Sequence, residues 1–238
     1  MKNLKLAAVC LSCLTMTGCS ALNFSVEGLI NAPKLTSEQS EIHQALIESV
    51  GSNITLKYPK NGEYRSAYVI ANIDDEPTDE AMVFYEYTSN GSEEDGLRVN
   101  ILDKDEDGKW YSVKELAGAG TDIDQVIISP MGSNNQTDVF VGYQNLTNDE
   151  KTMEIYSYTD GDFKRVALDT YSVLEPLDIN NDGYIELITI QRSTNNDTGA
   201  VTAKASMLNM KNNEITRGEN VDMCDNVTSY VLSLIHIS

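Results

Sequence analysis

The stretch Asp178-Ile-Asn-Asn-Asp-Gly-Tyr-Ile-Glu186, followed directly by Leu187-Ile-Thr-Ile190, carries the clearest fold signal in the sequence. Its loop is rich in turn-forming residues, and the β-branched run after it is typical of a buried strand. The same order of acidic loop and apolar strand occurs twice earlier in the chain. The two earlier copies are residues 72–80 before 81–85 and residues 130–138 before 139–143.

The acids that close these loops, Glu80, Asp138 and Glu186, mark an internal repeat of roughly 50 residues. Hairpin turns that follow the strands recur with the same period. These turns are Asp107-Gly108, Asp160-Gly161 and Asn212-Asn213. A unit of this length with four short strands is typical of one β-propeller blade.

Both faces of the predicted strands are apolar, as in residues 82–85. A strand with one face in water would alternate polar and apolar residues, whereas a strand between two neighbouring sheets need not. We therefore predict an all-β fold, a partial β-propeller of about three four-stranded blades. The alternative is a β-sandwich.

One short helix is predicted ahead of these strands. Thr36-Ser-Glu-Gln39 has the form of a capping box, and Ile42, Ala45 and Leu46 follow at helical spacing. The predicted helix covers residues 37–49.

The loop 178–186 offers oxygen ligands in a pattern that suits a hard cation. Calcium takes six to eight oxygens, and Gly183 permits the sharp turn that brings them together. An EF-hand is excluded, because its twelfth position would be Thr189 and a strand, rather than a helix, follows. The predicted calcium ligands are Asp178, Asn180, Asp182, the backbone carbonyl of Tyr184, and Glu186. A metal-free turn rich in Asp and Asn is the alternative.

The loop pattern resembles that of FG-GAP/VCBS β-propeller repeats, in which a Dx[DN]xDGxx[DE] loop links the first two strands of a blade. The resemblance covers about residues 66–220, and residues 32–36, 56–59 and 64–67 are similar to Gram-positive bacterial lipoproteins with such repeats. It implies calcium at each intact copy, and the second copy is expected to be empty. Weaker candidate ligands in the first copy are Asn72, Asp74, Glu76 and Glu80.

The N-terminus has the pattern of an export signal. A basic start precedes the apolar run 6–14, which is too short to span a bilayer. Met16-Thr-Gly-Cys19 then resembles a bacterial lipobox. We expect residues 1–18 to be removed and Cys19 to carry lipid, so that the protein is anchored on the extracytoplasmic face of the cell membrane. The alternative is an ordinary signal peptide with a chance cysteine.

The last seven residues, 232–238, resemble the translation of a transposase adapter used in DNA library preparation. We expect natural sequence to stop near Val231 and the third repeat to be incomplete, the alternative being a natural final strand. The predicted organisation is a signal peptide at 1–18, a tether at 19–35, a helix and lead-in strand at 36–65, repeats at about 66–120, 121–170 and 171–231, and the artefact at 232–238.

Composition narrows the possible partners. The chain has 17 Lys+Arg against 37 Asp+Glu, a net charge of −20. This charge argues against a nucleic-acid partner and against binding to anionic lipid through a cluster of basic residues. No G-x-S-x-G, Walker or H-E-x-x-H motif occurs. We predict a non-enzymatic protein that binds an unknown protein or glycan, with calcium as a structural element. The alternative is a secreted carbohydrate hydrolase or lyase with part of its site beyond this sequence.

Overall fold

The computed structural model describes residues 35–88, 96–131, 136–145, 150–179, 181–195, 197–211 and 214–225. The division of the chain into two units falls between residues 38 and 39. Of the first unit only residues 35–38 are described.

Helix α1 runs from Ser37 to Val50 and buries Ile42, Ala45 and Leu46, which confirms the single helix predicted from apolar spacing. Gly51 ends it with φ 85°, a left-handed conformation that glycine adopts without steric cost. No helix in the described part of the chain has the length and apolar character needed to cross a membrane.

The other elements are strands in three antiparallel sheets. Sheet 1 contains β1 (Ile54–Leu56), β2 (Tyr68–Ala71), β3 (Glu80–Tyr87), β4 (Leu97–Lys104) and β5 (Trp110–Ala117). Sheet 2 contains β6 (Asp122–Ser129), β7 (Asp138–Gln144), β8 (Lys151–Thr159) and β9 (Asp162–Tyr171). Sheet 3 contains β10 (Val173–Leu177), β11 (Glu186–Thr194), β12 (Val201–Lys211) and β13 (Glu214–Asp225).

Each sheet is a meander in which strands that follow one another along the chain pair side by side. Sheet 1 departs from this only at its edge, where β1 and β2 both pair with β3. The all-β prediction is confirmed. The described chain has three sheets, rather than the two of the sandwich alternative, and none of them closes on itself.

The sheets stack as successive layers because their strands are apolar on both faces. Neighbouring residues of a strand point to opposite faces. On β3, Val83 packs with helix α1 while Phe84 packs with sheet 2. On β7, Val141 packs with sheet 1 while Phe140 packs with Leu187 of sheet 3. The order of layers is therefore helix α1, sheet 1, sheet 2 and sheet 3.

Candidate functional site

The loop between β10 and β11 is held in shape by its own carboxylates. Asp178 accepts hydrogen bonds from the backbone N–H groups of Asp182 at 3.0 Å and Gly183 at 2.9 Å. Asp182 in turn accepts one from the N–H of Tyr184 at 2.9 Å. A carboxylate oxygen that accepts one such bond keeps a further lone pair. The turn therefore arranges carboxylate oxygens without using up their capacity to accept a cation.

The donor set of this loop fits a hard cation. Asp178, Asp182 and Glu186 supply carboxylates and Tyr184 a carbonyl, all of them oxygen ligands of the kind calcium prefers. The fifth predicted ligand, Asn180, lies outside the described residues. Within the described part of the chain, no three His, Cys, Asp or Glu side chains are gathered closely enough to hold a metal by themselves.

The equivalent loop of the first repeat is closed by hydrogen bonds of its own. The side-chain amide of Asn72 donates to the backbone carbonyls of Glu76 at 2.6 Å and Thr78 at 3.0 Å. Thr78 stands at the loop position that Tyr184 occupies in the third copy. The Asn72 amide therefore ties the start of this loop to its later residues.

The closing acid makes the same hydrogen bond in all three loops. Its carboxylate accepts from the backbone N–H of the residue seven positions earlier. The pairs are Glu80 with Ile73 at 2.8 Å, Asp138 with Met131 at 3.1 Å, and Glu186 with Ile179 at 2.9 Å. The acid that the sequence pattern marks as a cation ligand therefore also fixes the start of its loop to the following strand.

Glu80 is the most unusual of these acids. It is 1% exposed, and its Oε1 atom has no hydrogen-bond partner. Burial raises the pKa of the Glu80 carboxyl from 4.5 to about 7, and the nearby charges of Asp74 and Asp103 add to the rise. The side chain is therefore protonated over part of the neutral pH range.

A cavity of about 470 Å³ lies where the first strands of sheets 2 and 3 meet the segment that leads into β2. Its size falls within the range of roughly 300–1,000 Å³ that is usual for small-molecule sites. The cavity is lined by residues 61–64, 124–128 and 173–176 together with Lys151.

The polar wall of this cavity is organised by Asp124, which is only 1% exposed. Its carboxylate accepts hydrogen bonds from Asn61 Nδ2 at 2.8 Å, Lys151 Nζ at 2.8 Å and Tyr171 Oη at 2.6 Å. We call these four residues the Asp124 cluster. Burial and the charge of Asp124 raise the pKa of the Tyr171 phenol, so this donor keeps its proton. A buried carboxylate with three donors is stable and well placed.

A β-bulge lets Asp124 reach its partners. Ile123 pairs with Tyr143 and Gln125 with Gly142, so Asp124 is the extra residue between them. Bulges re-aim side chains and are common beside functional sites. The bulge therefore places Asp124 and Gln125, which are adjacent in sequence, along the same cavity.

Gln125 has no side-chain hydrogen-bond partner among the described residues, although only 8% of its surface is exposed. Its amide atoms are not fully enclosed by the protein, so they remain accessible from the cavity. Gln125 is therefore the cavity residue whose hydrogen-bonding capacity is left for a bound molecule.

The cavity was not found from the sequence, although one signal for it exists. Asp124 and Gln125 interrupt the otherwise apolar run 123–128, and a polar pair within a buried strand is expensive unless it has partners. Of the other predicted sites, Cys19 lies outside the described residues. No protein-family model and no curated protein matches the chain.

Proposed function

We propose that this protein is a lipid-anchored binding protein of the extracytoplasmic membrane surface, whose cavity binds part of a glycan or protein partner. The observation that carries the proposal is the unpaired amide of Gln125, a residue only 8% exposed, in a cavity of about 470 Å³. In this proposal calcium at 178–186 has a structural role, and it stiffens the loop that joins β10 to β11.

The stacking of the sheets supports a propeller-like arrangement of the three repeats. Sheets 2 and 3 are four-stranded meanders, sheet 1 has one additional edge strand, and sheet 2 packs against a neighbour on both faces. The cavity is lined by β6 and β10, the first strands of sheets 2 and 3. A propeller arranges four-stranded sheets around a central channel, so we propose that this cavity lies on the channel side of the blades.

The hydrogen bonds that Asp124 accepts favour a binding function over a catalytic one. Its carboxylate already accepts three hydrogen bonds from side chains around the cavity wall, and this supports a role in holding that wall in place. Glu63 and Glu175 also line the cavity, and two carboxylates are what glycoside hydrolysis requires. Turnover of a saccharide would therefore favour the hydrolase or lyase alternative.

Saturation-transfer NMR with a panel of mono- and disaccharides tests the binding proposal on the full-length protein. We expect at least one saccharide to bind, and we expect Gln125→Leu to abolish that binding because it removes the free amide. Gln44→Leu, on the exposed face of α1, is the matched control and should bind normally. Equal binding by Gln125→Leu and the parent protein would contradict the proposal.

Membrane fractionation tests the anchor. We expect Cys19→Ala to release the protein into the soluble fraction, because the thiol that would carry lipid is gone. Cys224→Ala is the matched control and should stay with the membrane. A Cys19→Ala protein that remains membrane-bound would show that something other than lipid at Cys19 holds it there.

A further inference from the structure

The charge of the cavity restricts what it can bind. Lys151 is the one basic residue among those that line it, and its Nζ is paired with Asp124 at 2.8 Å. Glu63 and Glu175 line the same cavity and have no hydrogen-bond or ion-pair partner among the described residues. The unpaired charge of the cavity is therefore negative, which opposes anionic ligands and attracts cations.

The other walls of the cavity offer apolar and aromatic surface, which is typical of a site for an organic ligand. Leu174 and Pro176 form an apolar wall, and the half-buried Tyr64 adds an aromatic ring. Burial and the charge of Glu63 raise the pKa of the Tyr64 phenol, so its ring remains neutral and electron-rich. Aromatic rings of this kind attract ammonium groups. A bare metal ion would gain nothing from the apolar wall or from the aromatic ring.

Gln125 can make a hydrogen bond with a ligand, in addition to the charge interactions of the two carboxylates. The residue is only 8% exposed, its amide has no hydrogen-bond partner among the described residues and lies beside Gly62, and it can both donate and accept a hydrogen bond. A ligand with a hydroxyl group would satisfy it. The two carboxylates, the aromatic ring and this amide all belong to one cavity, which three separate segments of chain enclose.

From this we infer that the cavity binds a small hydroxylated organic cation, whose ammonium group is held by Glu63, Glu175 and Tyr64 and whose hydroxyl group pairs with Gln125. The inference rests on the binding function proposed above and names the chemical class of its ligand. Among sugars, it favours one that carries an ammonium group over neutral or acidic sugars.

Choline and its neutral analogue dimethylbutanol, in which carbon replaces the nitrogen, test the charge directly. The reporter is the side-chain amide signal of Gln125 in the full-length protein with isotope-labelled glutamine, assigned by its loss in Gln125→Leu. The chain has six glutamines, so the spectrum is simple. We expect choline to shift this signal and to bind about tenfold more tightly than dimethylbutanol.

Variants separate the contribution of the carboxylates from that of folding. Glu63→Gln/Glu175→Gln should weaken choline binding about tenfold while leaving dimethylbutanol binding and the melting temperature unchanged. Glu41→Gln, an exposed acid on α1, is the matched control and should bind choline normally.

The possible outcomes keep the two proposals apart. If dimethylbutanol binds as tightly as choline, or a neutral saccharide shifts the Gln125 signal and choline does not, the charge inference is wrong and the binding function stands. If neither these probes nor the saccharide panel shifts the signal, both proposals are wrong. Choline binding that survives the double glutamine variant unchanged would also overturn the inference.

Discussion

Gly142 lies so close to Tyr171 that a Cβ atom on residue 142 would overlap the phenol oxygen of the tyrosine. That oxygen donates to Asp124 at 2.6 Å. The absence of a side chain at Gly142 is therefore what allows Tyr171, from the last strand of sheet 2, to join the Asp124 cluster.

Gly142→Ala should destabilise the protein by about 2 kcal/mol, because the added methyl group forces Tyr171 from its place. Urea denaturation measures the loss. Tyr171→Phe removes the overlapping atom, so the double variant should be less destabilised than the sum of the two single variants. Simple additivity would mean that the two residues do not meet as described.

Asn100→Leu should stabilise the protein by about 1 kcal/mol. Asn100 is fully buried on β4, and neither its Nδ2 nor its Oδ1 atom has a hydrogen-bond partner. Leucine has a similar shape and no polar atoms to desolvate. The denaturation midpoint measures the gain, and Asn100→Ala, which leaves a void, should be less stable than Asn100→Leu. A loss of stability in Asn100→Leu would show that the amide is paired, for example with a buried water molecule.

The stability of the protein should fall as the pH rises from 4.5 to about 7, in part through Glu80. Burial raises the pKa of this carboxyl from 4.5 to about 7 in the folded state, so in this range the folded protein holds a proton that the unfolded chain has lost. The contribution is fully present below pH 4.5 and is lost as the pH rises through about 7. It amounts to about 3 kcal/mol.

Glu80→Gln should remove this part of the pH dependence and should stabilise the protein above pH 7. The amide still accepts from Ile73 and carries no charge to desolvate. Glu186→Gln, at the same loop position but less buried, is the control in calcium-free buffer and should keep the parent profile. If the stability of Glu80→Gln depends on pH from 4.5 to 7 as that of the parent protein does, a group other than Glu80 is responsible for the pH dependence.

Calcium should raise the melting temperature, with a dissociation constant on the order of 10⁻⁴–10⁻³ M, because it binds only the folded loop. Asp182→Ala should reduce this gain. Asp105→Ala is a matched control, since Asp105 also accepts backbone hydrogen bonds in an exposed turn but belongs to a hairpin tip. A parent protein whose melting temperature does not respond to millimolar calcium would contradict the site.

The local features of the fold could be predicted because they depend on short sequence patterns. The spacing of Ile42, Ala45 and Leu46 predicts α1, and the apolar residues on both sides of β3 predict a strand with a layer on each face. Charge and turn residues mark the loop 178–186 in the same way. Each of these signals lies within about a dozen neighbouring positions.

The Asp124 cluster could not be predicted in that way. It joins residues 61, 124, 151 and 171, which meet only because separate segments fold against one another. The bulge that re-aims Asp124 depends on the pairing of β6 with β7. In the first loop, likewise, Asn72 looks like a cation ligand in sequence, and only its contacts with Glu76 and Thr78 show that it acts as a donor.

Helix α1 makes the two ends of the stack of sheets different from each other. It covers the face of sheet 1 that points away from sheet 2, so a further β-layer cannot pack there. On the opposite side, Ile188 and Met207 of sheet 3 form a cross-strand pair that is only half-buried. An end cap of this kind blocks association at one terminus of a repeat array and leaves the other available. The two ends of the stack therefore differ: helix α1 occupies the outer face of sheet 1, whereas the outer face of sheet 3 keeps partly exposed apolar side chains.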